Sequence, residues 1–228
     1  MLRSPLSQML KFKGFKDFEG NCSQIPEQIR DLVALSASHP SKPLRIMEIG
    51  FNAGHSAEVF LNNNCMHLVS FDLGQHMYVL EAKRYLDHKY PKRHLLVLGD
   101  SQISMPKFLA DYPGITFDVI FIDGGHDYEI AKSDMENSLK MATDNTLIIM
   151  DDVVSGQQYQ WTTGPSRVWH EMISERKIGY VSGREYAPGR GMVWGYKITQ
   201  TCKEKEHPET PWWEGGRWVG GGPPPSFL

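Results

Sequence analysis

The sequence predicts an α/β protein built on a doubly wound, mostly parallel sheet with helices on both faces. Three observations predict it. Short apolar runs alternate with amphipathic helical stretches along residues 44–150, the pattern of right-handed βαβ crossovers. The first run leads into a glycine turn and a helix start, Glu48-Ile-Gly50-Phe-Asn52-Ala-Gly54-His55-Ser56. Each of five runs also ends on or beside an acid: Glu48, Asp72, Asp100, Asp123 and Asp151. One acid at a strand end is a cap or turn residue. Five in register mark a rim, and ligands bind beyond the carboxyl ends of such strands.

Residues 1–22 show no clear period and are expected to be irregular. Ser23 to Ser38 read as a helix, with Ile25, Ile29, Leu32, Val33 and Leu35 near helical spacing and Pro26 tolerated in the first turn. His39-Pro-Ser-Lys-Pro43 ends it, so residues 1–43 form an N-terminal segment with one helix. Leu44 to Ile49 is a strand apolar enough to be covered on both faces. Gly54 to Leu61 is a helix, His67 to Phe71 a strand ending at Asp72, and Met77 to His88 a helix. His94 to Leu98 is a strand ending in Gly99-Asp100-Ser101, and Pro106 to Tyr112 is part of a helix. Phe117 to Ile122 is a strand ending at Asp123. The helix Tyr128 to Ala142 follows, with Tyr128, Ala131, Met135, Leu139 and Ala142 on one face. Thr146 to Met150 is a strand ending in Asp151-Asp152. Val153 to Gly164 reads as a polar, aromatic loop and Pro165 to Lys177 as a helix; Tyr180 to Gly183 and Gly191 to Ile198 form a closing hairpin pair. The main domain is therefore 44–198. From Thr199 the chain turns rich in Gly, Pro and Trp and reads as a flexible tail, 199–228.

Composition narrows the function classes. The 228 residues fit one domain with appendages, and 40% apolar content supports a sizeable core. A net charge of −3 argues against nucleic acid held by bulk electrostatics. No run approaches a membrane span, and the polar N-terminus is no signal peptide. Three cysteines, Cys22, Cys65 and Cys202, lack metal-ligand spacing. The expectation is a soluble, cytoplasmic protein; a homo-oligomer stays open.

Gly50 and Gly54 supply backbone freedom where a ligand comes close, and the helix start at Ser56 offers free N–H groups. Glu48 would spoil a phosphate site but suits a cationic or hydroxyl-rich ligand. A full GxGxxG is missing, which speaks against a dinucleotide enzyme. Glu48-Ile-Gly50-Phe-Asn52-Ala-Gly54 resembles the first motif of class I S-adenosylmethionine-dependent methyltransferases. The resemblance implies a Rossmann-like sheet of about seven strands with one antiparallel strand. It places Gly50, Asn52, Gly54 and Ser56 against the methionine part of the cofactor, with Glu48 facing its cationic groups. Asp72 then takes both ribose hydroxyls, as a carboxylate can from a vicinal diol. Asp100 and Ser101 border adenine, and Asp123 closes the set.

Phe121-Ile-Asp123-Gly-Gly-His126-Asp-Tyr128, with Ile149-Met-Asp151-Asp152-Val, resembles the macrocin O-methyltransferase-like branch, the methyltransferase-24 type. That resemblance implies one divalent cation, Mg²⁺ or Mn²⁺, on Asp123, Asp151 and Asp152, with His126 as general base. An aliphatic hydroxyl is a poor nucleophile at neutral pH, so a cation and a base both help. Hard oxygen ligands suit these ions. The branch acts on sugar hydroxyls, so the expected acceptor is a small molecule or glycan carrying a deoxyhexose-type sugar, with a catechol or phenol as the alternative. Tyr159 and Trp161 are expected to stack on it, with Gln157, Gln158 and Gln160 bonding hydroxyls. Arg184, Tyr186 and Arg190 are placed near the same rim. Asp134 is read as solvated, His55 as a helix-start residue and His170 as structural. Tyr85-x-x-x-Lys89 and Tyr128-x-x-x-Lys132 match a short-chain oxidoreductase spacing, but neither follows the fifth strand. A cofactor-binding module without chemistry is the non-enzyme alternative.

Overall fold

The computed structural model describes residues 4–16, 18, 22 and 25–198. The expected tail, 199–228, and the start of the expected helix at Ser23 lie outside them. The sheet has seven strands in the order β3-β2-β1-β4-β5-β7-β6. They are β1 (Leu44–Ile49), β2 (Cys65–Asp72), β3 (His94–Leu98), β4 (Phe117–Ile122), β5 (Ala142–Asp151), β6 (Ile178–Ala187) and β7 (Arg190–Lys197). The first five run parallel, and β7 is antiparallel to both β5 and β6. The order reverses at β1–β4, which places the ligand crevice there.

The helices are α1 (Pro5–Phe12), α2 (Pro26–Ser38), α3 (His55–Asn62), α4 (Tyr78–Lys89), α5 (Ser101–Asp111), α6 (Tyr128–Lys140) and α7 (Gln160–Ser174). Two buried clusters cover the two faces. One joins Leu6, Leu10, Leu32 and Leu35 to Ile46, Ala57 and Phe60. The other joins Met47 and Ile49 to Met105, Met135 and Trp169.

Several boundaries differ from expectation. The N-terminal segment has two helices, not one. α1 is too short to show a period, yet Ser4 caps it, Pro5 opens it, and Leu6 and Leu10 are fully buried. On α2, Val33 faces solvent and Gln28 takes an inward position with Leu32 and Leu35. α5 starts five residues early because Asp100 caps it, its carboxylate accepting from the Gln102 N–H at 2.9 Å. α7 also starts early, so Trp161 and Gly164 are helical rather than in a loop. Among the described residues, no helix is long and apolar enough to cross a membrane.

Candidate active site

A cavity of about 590 Å³ follows the carboxyl ends of the parallel strands. Sheet order sets its layout: Asp100 and Asp72 lie on one side, Gly50 and Asp123 in the middle, and Asp151, Asp152 and Arg190 on the other.

Gly50 has φ 91°, and a Cβ there would lie 1.8 Å from the Asp123 carbonyl oxygen. Only glycine fits. The β1 and β4 ends meet backbone to backbone, with the Asp123 N–H donating to the Ile49 carbonyl at 2.9 Å. Asp72 accepts from the Asn52 N–H through Oδ2 and from the Gly74 N–H through Oδ1, each at 2.7 Å. It therefore shapes the glycine turn, and each oxygen keeps a lone pair for a diol. Asp100, Ser101 and Asn52 also line this side.

Three residues expected at the cofactor do not line the cavity: Glu48, Gly54 and Ser56. Glu48 is fully buried. Period-two alternation sends it to the same side of β1 as Ile46, which packs with α3. Its carboxylate accepts from Ser56 and, at 2.7 Å, from Ser70. His94 Nε2 lies 3.0 Å from Ser70 Oγ and extends the chain. Burial pushes the Glu48 carboxyl up to about 7, against the opposing pull of both hydroxyls. Its structural work is to tie β1, β2 and α3 together beneath the turn.

On the other side, ligand atoms of Asp123, His126 and Asp152 all lie within 4.8 Å of one another. His126 Nε2 is 2.9 Å from Asp152 Oδ2. Asp152 holds φ 56°, a strained backbone for a non-glycine residue, which is a common feature of active sites. Gly164 lets α7 press against this turn, since a Cβ there would be 2.1 Å from the His126 carbonyl oxygen. Burial, then the charges of Asp151 and Asp152, hold the Asp123 carboxyl well above its usual range. Asp151 is raised likewise, by burial first and Asp152 second. Arg190 opposes both shifts. Crowded carboxylates with so little counter-charge fit a divalent cation.

Asp151 stands slightly apart. It lines the cavity, but its Oδ2 accepts from Gln28 Nε2 of α2 at 2.7 Å, both groups buried. Gln28 was missed by the sequence reading. The signal was there: a polar residue on the face of α2 shared by Leu32 and Leu35. Cys22 is buried close by, its thiol pushed up by burial and then by Asp123 and Asp151.

Trp161 lines the cavity, its Nε1 donating to the Gly189 carbonyl at 2.9 Å. Tyr159 does not line it; its ring stacks on Trp161 with centroids 4.9 Å apart. Gln158 is spent on the Val154 carbonyl and Thr162. Arg184 and Tyr186 reach Asp31 of α2 at 3.4 and 2.8 Å rather than the rim. Asp134 is fully buried beneath Gly124, not solvated, and burial pushes it up to about 6. His55 bonds Ser7 at 2.7 Å, which ties α1 to α3. Tyr128 and Lys132 both bond Glu171 on the α6–α7 surface, so that tyrosine–lysine pair is a strut.

Residues 47–153 match a family described as a methyltransferase domain, the methyltransferase-24 type. Among curated proteins, none matches the chain by sequence. Several solved structures share the fold. An O-methyltransferase from Bacillus cereus in complex with SAH has a TM-score of 0.67 at 18% identity, covering 85% of this chain and 89% of that one. The O-methyltransferase TomG from Streptomyces achromogenes, in complex with SAM, has a TM-score of 0.65 at 20% identity, covering 86% and 89%. CalS11, a TDP-rhamnose 3'-O-methyltransferase of calicheamicin biosynthesis, has a TM-score of 0.57 at 19% identity, covering 82% and 92%.

Proposed function

We propose that the chain, whose residues 47–153 match a methyltransferase domain family and whose fold is shared with O-methyltransferases, transfers a methyl group from S-adenosylmethionine to a sugar hydroxyl with the help of a divalent cation. The observation that carries the reading is the cavity itself. Diol-binding Asp72 and the cluster Asp123–His126–Asp152 occupy its two sides.

Each residue has a role in this reading. Asp72 takes the ribose diol, and Asp100 and Ser101 border the adenine. Asp123, Asp151 and Asp152 would hold Mg²⁺ or Mn²⁺, with Gln28 steadying the Asp151 carboxylate from behind. The cation, when bound, supplies positive charge that stabilises a developing alkoxide. Asp152 orients His126 through its Nε2, which leaves Nδ1 as the ring nitrogen to accept the hydroxyl proton. Trp161 offers an aromatic wall to the sugar ring, being 40% exposed. Methyl transfer needs an in-line approach, so the walls that orient donor and acceptor matter as much as the base. The sugar assignment draws on His126, which an acidic phenol would not need, and on the shared fold with CalS11.

The test is a panel of deoxyhexose glycosides and catechols incubated with S-adenosylmethionine, with and without Mg²⁺ or Mn²⁺ after exhaustive EDTA treatment. The expected product is a methylated glycoside formed only with metal. Full-rate transfer without metal would make the acid trio structural. Transfer to catechol alone would replace the sugar reading.

A further inference from the structure

Beside the catalytic cavity lies a second, more open groove of about 450 Å³. It runs between the segment before α7 and the β6–β7 turn, and its walls include Gln157, Tyr159, Glu185 and Pro188. The two depressions share one partition. Trp161 lines the cavity, Tyr159 lines the groove, and their rings are stacked at an interplanar angle of 21°. The Trp161 Nε1 bond to Gly189 fastens that pair to the turn.

We propose that this groove binds the sugar next to the one that is methylated, so that the acceptor is the end of an oligosaccharide or glycoconjugate rather than a nucleotide-activated monosaccharide. The proposal rests on the sugar reading above. Its chemistry is that of a neutral polyol site. Tyr159 supplies an aromatic surface for C–H faces. Gln157 supplies an amide, and Glu185 a carboxylate with no hydrogen bond or ion pair among the described residues. No Lys or Arg is among the lining residues, so a diphosphate there would face Glu185 without a cation. The cationic side chain in the neighbouring cavity, Arg190, already acts on Asp123 and Asp151. A sugar seated over the acid cluster and Trp161 would send its aglycone past the partition into the groove.

The experiment compares three acceptors that carry the same deoxyhexose: its methyl glycoside, a disaccharide with it at the non-reducing end, and its nucleoside diphosphate ester. The expected kcat/KM is about tenfold higher for the disaccharide than for the methyl glycoside, chiefly through KM, and no higher for the nucleotide sugar. Glu185→Gln and Tyr159→Ala should each bring the disaccharide-to-monosaccharide ratio towards one. Gln157→Ala serves if the tyrosine variant fails to fold. A wild-type ratio near one, a ratio unmoved by the variants, or a preference for the nucleotide sugar overturns the groove assignment. In those outcomes sugar methylation itself still stands. Transfer to a catechol and to no sugar overturns both.

Discussion

The two sides of the cavity are built differently. On the Asp72 side each acid meets backbone donors supplied by its own loop or the adjacent one: Asn52 and Gly74 for Asp72, Gln102 for Asp100. On the Asp123 side carboxylates meet one another, and their partners come from far along the chain: Gln28 from α2, Arg190 from β7. The first side is complete as a folded loop. The second gathers carboxylates opposed by Arg190, and the proposed cation rests on that crowding. The first side is a local motif, while the second has to be assembled from distant parts of the chain.

The sharpest way to break this comparison is Asp123→Asn. It should lower kcat by about 10³-fold or more and abolish Mn²⁺ binding followed by electron paramagnetic resonance. His126→Ala should cost about 10²–10³-fold in kcat with Mn²⁺ affinity retained. Loss of that affinity would instead make His126 a ligand, in keeping with its place in the cluster.

Glu48 probes the buried layer under the donor loop. Its folded pKa is raised to about 7 from 4.5, so folding favours the protonated acid. That contribution is fully present below about pH 4.5 and is lost as pH rises through 7, up to about 3 kcal/mol in all. Glu48→Gln keeps a bond to each serine and cannot ionise. Denaturant unfolding without cofactor should show the variant more stable above pH 7, with the wild-type slope between pH 4.5 and 7 removed.

Asp72→Ala should weaken S-adenosylmethionine binding about 10- to 100-fold by calorimetry, with a smaller change in kcat at saturation. An equal loss in acceptor affinity would erase the distinction between the two sides. The smallest effect belongs to Gln28→Leu. Leaving Asp151 Oδ2 unpaired should cost about 1–2 kcal/mol of stability and lower kcat a few-fold without changing the S-adenosylmethionine Kd.

The sheet was legible because buried parallel strands write themselves as apolar runs, and helices between them write a 3.6 period. The strand-end acids were legible for the same reason: once strands are placed, so are their ends. Orientation was harder. Glu48 sits near a strand end like Asp72, yet it pairs in register with Ser70, two residues short of Asp72, and so lies within the sheet beneath the turn rather than at the cavity's edge. Asp134 reads from sequence as part of a solvated helix face, but the missing side chain of Gly124 makes room for it inside. α1 escaped notice because eight residues are too few to display a period.

By itself the sequence determined the fold class, the glycine turn and the acids at the strand ends. These are local patterns, set by backbone geometry and by which residues can be buried. The tertiary structure alone decided which acids face the cavity. It also brought Gln28 to Asp151, fastened Arg184 and Tyr186 to α2, and set Trp161 and Tyr159 on opposite sides of a partition. Those pairings join residues up to 155 positions apart. Contacts at that range depend on how helices and hairpin pack against the sheet, and no periodicity in the chain encodes them.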